Sequence, residues 1–278
     1  MRHSLTILCE NSVGKNTAVL AEHGFSCLIE NERSNHLFDA GQGLTLGHNL
    51  NVLGKTLSGL RSFILSHGHY DHAGGLPVVL ARTGPLEVTA HPDIFRPRFW
   101  KGKEEFRFVG VPHRQEALVG MGARFHYLRE FSELFPGLFF SGEIPRRTPF
   151  EKGDEGLVTP RAATEEMVQD PVADDVSLLL QTESGPVLLL GCAHAGLVNI
   201  LRHFHEKTGI DSLHAVIGGT HLAPADEDQF TKTVEALRDF QVQRILVGHC
   251  TGQKRAAELS ALFGRRFSFL AAGAVLDV

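Results

Sequence analysis

The chain has 278 residues, 42% hydrophobic and 21% charged, with 27 Lys+Arg against 32 Asp+Glu; it is long enough to bury a sizeable core, as one large domain or two small ones. The near-balance of charge gives no polyelectrolyte field, and no apolar run approaches the roughly 20 residues of a bilayer-spanning helix, so neither a nucleic-acid nor a membrane partner is expected. MRHSLTILCENSVG carries too short an apolar stretch for a secretory signal, and the four scattered cysteines form no C-x-x-C pair. A reducing, cytoplasmic setting is therefore expected, with no disulfide framework or zinc ribbon. Histidine is the unusual entry in the composition at 16 residues, which directs attention to metal or acid–base chemistry.

In chain order, LTILCEN (5–11), FSCLIEN (25–31) and NHLFDAG (35–41) read as a meander of short strands. NLNVLGKTL reads as helical and SFILS as a buried strand, and GGLPVVLART opens a helix that tolerates Pro77 in its first turn. LEVTAHP is a further strand. The stretch 94–175 then looks less regular, rich in Phe, Pro, Gly and charge, and its length predicts an insertion over the scaffold that forms a lid or substrate wall. The last third alternates cleanly: VSLLLQT, PVLLLGCAH, helix LVNILRHFHEKTG, SLHAVIGGTHL, helix EDQFTKTVEALRDFQ, RILVGHC, helix QKRAAELSALFG and RFSFLAAG. The expected architecture is an α/β four-layer αββα sandwich with its site at the edge where strands end.

The loop SHGHYDHAGGL (66–76) places His67, His69, Asp71 and His72 within six residues, after a strand and among glycines. His67 and His69, two apart, would project to one side of an extended chain, with Asp71 and His72 on the following turn. Imidazole nitrogens and a carboxylate suit Zn²⁺, Mn²⁺ or Fe²⁺. Four donors this dense exceed what one tetrahedral ion uses comfortably, whereas two ions roughly 3.5–4 Å apart could divide them. A solvated polar loop is the bland alternative; four donors framed by a buried strand weigh against it.

SHGHYDHAGG resembles the H-x-H-x-D-H signature of the metallo-β-lactamase superfamily, and HLFDAGQG (36–43) resembles its upstream Asp-Gly element. GEIPRRTPFE, DDVSLLL, GCAHAGLVNIL, VIGGTHL and GHCTG resemble the branch of dihydropterin-linked ribofuranosylaminobenzene 5'-phosphate synthase-like metal-dependent hydrolases. The resemblance implies the αββα fold, one or two divalent transition-metal ions with Zn²⁺ first, His67 and His69 on one ion, and Asp71 and His72 on the second. Asp71 and Asp39 are the carboxylates expected to serve the chemistry, Asp39 by holding an imidazole through its far N–H. Where the family carries a bridging Asp, this chain has Cys192. His194 is then the substitute for the missing third-motif His, and His249 matches the closing His.

His194, His221 and His249 each follow an apolar strand and a small residue, so each is a candidate ligand at a strand end. Cys192 is read as a thiolate ligand, with simple packing as its alternative, and Cys250 as packing. His203 and His205, inside a helix, are read as surface residues, and His91 as either a wall or a turn residue. Asp174 and Asp175 are read as turn residues, the resemblance keeping Asp175 near the site. Arg146 and Arg147 could meet an anionic substrate, with Arg146 preferred.

The expected activity is hydrolysis of a phosphate ester or lactone-like bond in a small, anionic substrate. Two alternatives stand beside it. One is a transferase joining a dihydropterin methyl diphosphate to an aminobenzene ribotide with release of pyrophosphate; the other is a metal-binding sensor without turnover.

Overall fold

Alternation along short apolar strands decides the layering. In Ser177–Thr182, Leu178 and Leu180 enter one core while Leu179 enters another, and in Gly185–Leu190 the pair Val187 and Leu189 opposes Leu188 and Leu190. Strands buried on both faces need a partner sheet on one side and helices on the other. The computed structural model, which describes residues 2–15, 18–103, 105–161, 164 and 166–278, has that form.

Two seven-stranded sheets stack face to face. The N-terminal sheet runs in the order Val275–Asp277, Ser4–Cys9, Ser26–Glu30, Asn35–Phe38, Leu60–Ile64, Leu86–Ala90 and Ala123–Tyr127. The C-terminal sheet runs Phe267–Phe269, Arg244–Gly248, Ala215–Gly219, Gly185–Leu190, Ser177–Thr182, Leu138–Phe140 and Ser132–Phe135. Ile7, Cys27, Phe38, Ile64, Phe140, Leu189 and Ile217 fill the space between them. Helices Leu46–Val52 and Leu76–Thr83 cover the outer face of the first sheet, and Leu197–Thr208, Glu227–Asp239 and Gln253–Phe263 that of the second. This is the expected four-layer αββα sandwich.

Parallel pairing positions the site. Asn35–Phe38, Leu60–Ile64 and Leu86–Ala90 pair in parallel, as do Gly185–Leu190, Ala215–Gly219 and Arg244–Gly248. The loops following Phe38, Ile64, Leu190, Gly219 and Gly248 therefore meet at one edge, where open α/β sheets bind ligands.

Two expectations change. The first helix spans Leu46–Val52, three residues earlier than NLNVLGKTL suggested, and yields to Gly54 at φ 62°. The stretch 94–175 is far from irregular: Ala123–Tyr127 completes the N-terminal sheet, while Ser132–Phe135 and Leu138–Phe140 complete the C-terminal one. Only Phe99–Lys101, Phe106–Phe108, Leu157–Pro160 and Met167–Gln169 stand apart, as a separate four-stranded sheet. Strands of three to five residues show too little alternation to be read from sequence.

Candidate metal centre

The His-rich loop leaves strand Leu60–Ile64 and is clamped at Gly68. A Cβ there would strike the Ile94 carbonyl, so only glycine lets the two backbones approach. The Gly68 N–H donates to Asp174 Oδ2 at 2.8 Å, and Asp174 is itself gripped by the buried Arg98, whose Nη1 lies 2.7 Å from the same oxygen and whose Nε lies 2.8 Å from Asp170. His69 stays extended at φ −98° and ψ 151°, and the single turn Tyr70–Ala73 then carries Asp71 and His72 back toward it.

Hydrogen bonds on the far nitrogens set the imidazole tautomers. Asp39 Oδ2 accepts from His72 Nδ1 at 2.6 Å and from the Ser66 hydroxyl at 2.7 Å, and Ser66 Oγ in turn accepts from His67 Nδ1 at 2.8 Å. One carboxylate thus engages Nδ1 of His72 directly and of His67 through Ser66, and turns the Nε2 of each toward the site. Asn11 Oδ1 accepts from the Gly24 N–H at 3.1 Å and from His249 Nδ1 at 2.8 Å, which frees His249 Nε2 in the same way. With its oxygen so engaged, the Asn11 amide points its NH₂ at His23 Nδ1, 3.1 Å away. His23 then carries its proton on Nε2 and donates to Asp71 Oδ2 at 3.0 Å.

The later donors arrive on loops held in unusual backbone. Asp39 (φ 59°), Ala193 (φ 59°), His221 (φ 48°) and His249 (φ 49°) all occupy the left-handed region without being glycine, and all lie at strand ends on this edge. Such strain persists where surrounding structure over-determines it, commonly at functional sites. The His249 N–H is tied to Glu10 Oε1, and Asp175 Oδ2 accepts the Ala195 N–H at 2.8 Å, steadying the turn that bears Cys192 and His194.

Two sets of buried donors converge. His67, Cys192 and His194 form one; His72, Cys192 and His249 form the other, with the ligand atoms of each set within 4.8 Å of one another. Cys192 belongs to both. Its Sγ is 3.2 Å from His72 Nε2, which is also 3.2 Å from His249 Nε2. His69 Nδ1 lies 2.9 Å from His67 Nε2, and Asp71 Oδ2 lies 3.4 Å from His249 Nε2 and 3.9 Å from His72 Nε2.

The electrostatics suit a cation. Burial first, and then the surrounding cationic side chains, hold His67, His69 and His194 well below the ordinary imidazole value, and burial takes His249 down to about 4. These rings are neutral, as ligation requires. Burial opposes a charge on His72, yet Asp39 and Asp71 outweigh it and push its pKa up to about 9. The field that would hold a proton there would equally hold a metal ion. Burial would raise Asp71, but His72, His23 and His249 outweigh it and keep the carboxylate ionised. Burial lifts the Cys192 thiol, whereas for Cys250 its cost is overcome by Cys192 and His221, which lower it. Among the described residues, the buried His69 Nε2 and His194 Nε2 have no hydrogen-bond partner. Orphaned buried nitrogens beside a carboxylate and a thiol fit one or two divalent transition metals.

Other expected residues fall elsewhere. His221 packs at a tilt against His194 with centroids 4.2 Å apart and faces Asp154 at 3.6 Å, beside the two converging sets; its pKa, opposed by burial but raised by Asp154 and Cys250, reaches about 9. Arg146, expected to meet the substrate, is not among the residues that line the cavity: its guanidinium donates to the carbonyls of His194, Pro171 and Val172 and so ties two loops together. Arg147 pairs with Glu206 on the surface. His203 is buried rather than exposed, its Nε2 2.9 Å from the Ser141 carbonyl, while His205 is exposed and bonds the Ile210 carbonyl. His91 is buried and accepts the Asp93 N–H at 3.2 Å, a turn role. Asp174 belongs to the Arg98 clamp. Sequence reasoning missed Glu10, Asn11, His23, Ser66 and Arg98; each has a partner in the site that lies far along the chain, such as His249 for Glu10 and Asn11, Asp71 for His23, Asp39 for Ser66 and Asp174 for Arg98.

Above these donors opens a cavity of about 240 Å³ lined by His69, Asp71, Cys192, His194, His221 and His249 on one side and by Tyr70, Trp100, Arg107, Val109, Asp154 and Leu157 on the other. A wider groove of about 620 Å³ lies elsewhere, among Arg2, Glu30, Lys55 and Val278, away from the converging donors.

Comparison with known proteins shows the family. Residues 20–249 match the model of the metallo-β-lactamase superfamily. A protein of Methanocaldococcus jannaschii named 7,8-dihydropterin-6-methyl-4-(β-D-ribofuranosyl)-aminobenzene-5'-phosphate synthase is 33% identical, over 97% of this chain and 94% of its own. The crystal structure of Tm1679, described as a metal-dependent hydrolase of the β-lactamase superfamily, superposes with a TM-score of 0.85 at 26% identity and covers 99% of both chains. A diphosphatase of the PhnP family, 13% identical with a TM-score of 0.53 over 100% of this chain and 98% of its own, shares the fold alone. On the match along residues 20–249, 230 of its 278, this chain belongs to the metallo-β-lactamase superfamily.

Proposed function

We propose that the chain is a metal-dependent hydrolase that cleaves a phosphate-ester or lactone-like bond in a small, anionic substrate. The observation that carries this is the convergence of His67, His72 and His249, each with Nε2 freed by a bond on its other nitrogen, around Cys192 on the floor of an open cavity. The ligand set would be His67, His69 and His194 on the inner side and Asp71, His72 and His249 on the outer, with Cys192 between them and His221 at the margin. A bound divalent ion, Zn²⁺ first because of the thiol and Mn²⁺ or Fe²⁺ otherwise, would act as a Lewis acid and bring the pKa of water from ~15.7 toward ~7. Asp39 orients His72 directly and His67 through Ser66. Asp71 supplies a fixed negative charge and an acceptor at the cavity floor. Residues 1–278 are read as one domain whose stretch 94–175 contributes the outer cavity wall, through Trp100, Arg107, Val109, Asp154 and Leu157.

A second reading, a transferase joining a dihydropterin methyl diphosphate to an aminobenzene ribotide with release of the donor's pyrophosphate, is supported by the name of the 33% identical relative. The donor set serves either reading, since an ion held there would polarise a scissile ester or a departing diphosphate alike, and assay separates the two. Protein purified without chelator and assayed on phosphomonoesters, phosphodiesters and lactones should turn over at least one class, lose that activity to chelator and regain it with Zn²⁺ or Mn²⁺. Inactivity of fully loaded protein on all three, with pyrophosphate release from the two-substrate mixture, would replace the first reading by the second.

A further inference from the structure

The small sheet presents one ordered row to the metal centre. Leu157 is the register partner of Trp100, and Trp100 that of Arg107, so the three side chains stand side by side on one face. All three line the cavity. The neighbouring row, Val158, Phe99 and Phe108, points to the other face, with the two Phe rings packed edge to face at 5.5 Å.

The row is joined to the metal loop by backbone: the Tyr70 N–H donates to the Val109 carbonyl at 3.1 Å, and His69 bridges to Gly110. Trp100 is seated on Gly156, where a Cβ would run into its ring at 2.5 Å, yet the residue keeps 37% exposure. One face is therefore fixed on backbone while the other stays open. Arg107 lines the cavity beside Tyr70 and, among the described residues, has no carboxylate partner. Arg146, by contrast, spends its donors on carbonyls. Arg107 is thus the guanidinium that the cavity offers to a ligand.

We propose that Leu157, Trp100 and Arg107 form a substrate wall that selects a flat aromatic ring bearing an anionic group remote from the reacting bond. The ring lies on Trp100 between Leu157 and Tyr70, and its carboxylate or phosphate meets Arg107. This rests on the metal-dependent reading above, since the wall matters only if the reacting bond lies over the metal donors.

Trp100 is the single tryptophan of the chain, so intrinsic fluorescence reports this wall alone. Metal-loaded protein is titrated with methylphosphonate, phenylphosphonate and 4-phosphonobenzoate, which carry no ester to hydrolyse, and Kd is read by fluorescence and by calorimetry. The ring should tighten binding about tenfold over methylphosphonate, and the added carboxylate about fivefold more. By calorimetry, Trp100→Leu should erase the ring gain, Trp100→Phe should keep most of it, and Arg107→Ala should erase only the carboxylate gain. Metal content should stay constant throughout. Equal affinity of the wild type for all three probes would overturn the proposal without any variant, as would a ring gain that survives Trp100→Leu or a carboxylate gain that survives Arg107→Ala. Failure of the metal-dependent reading would look different: no metal, and no binding of methylphosphonate.

Discussion

Cys192 occupies the point shared by both donor sets, where a carboxylate could offer two hard oxygens and a thiolate offers one soft sulfur. Cys192→Asp should shift metal preference toward Mn²⁺ or Fe²⁺, and Cys192→Ser should weaken Zn²⁺ retention; elemental analysis beside a thermal melt reads both, and unchanged Zn²⁺ in the two variants would reduce Cys192 to packing. Asn11 matters for another reason, because a single amide sets His249 and His23 in opposite tautomers. Asn11→Leu should lower metal affinity roughly 10- to 100-fold, the usual cost of losing an outer hydrogen bond to a ligating imidazole, with little effect on the melt of the metal-free protein because the residue is exposed. Asn11→Asp, which keeps the acceptor, should bind metal far better than Asn11→Leu; equal affinity of the two would remove Asn11 from the account. His203 and His69 separate fold from site: His203→Ala should cost about 1–3 kcal/mol by stranding the Ser141 carbonyl while keeping metal, whereas His69→Ala should lose metal.

At the level of elements, the metal loop is held by a clamp distant in sequence. Arg98 follows strand Leu86–Ala90, Asp170 and Asp174 precede Ser177–Thr182, and together they grip Gly68. Arg98→Met would bury two carboxylates without their cation and should destabilise the protein by about 3–5 kcal/mol in urea unfolding. Adding Asp170→Asn and Asp174→Asn should recover much of that loss, and failure to do so would show that the guanidinium acts by packing alone. The legibility of the site follows the same division. His67, His69, Asp71 and His72 could be read from sequence because four donors share one loop, and His194 and His249 because each follows an apolar strand and a small residue. Arg98, Glu10 and Asn11 could not, since each acts through a partner brought near only by folding. Arg146 shows the converse: folding brings it backbone carbonyls of His194, Pro171 and Val172 as partners that no sequence pattern announces.

For the whole molecule, the αββα layering was legible in the apolar strands and intervening helices, while the sheet membership of 94–175 was not. The two sheets bring their donor loops to one edge, so the site is built half from each. A bound ion would therefore tie the halves together, and chelation should lower the melting temperature, with recovery on adding Zn²⁺; binding at a thousandfold excess over Kd contributes about 4 kcal/mol. A melt unaffected by chelator in metal-replete protein would disconnect the ion from the fold. The claim that these loops form a metal centre is tested most directly by elemental analysis of the chain expressed with Zn, Mn, Fe, Co and Ni and purified without chelator, beside His72→Ala. The account predicts one to two equivalents of transition metal per wild-type chain and a clear loss in the variant; wild-type protein empty of all five metals would contradict it.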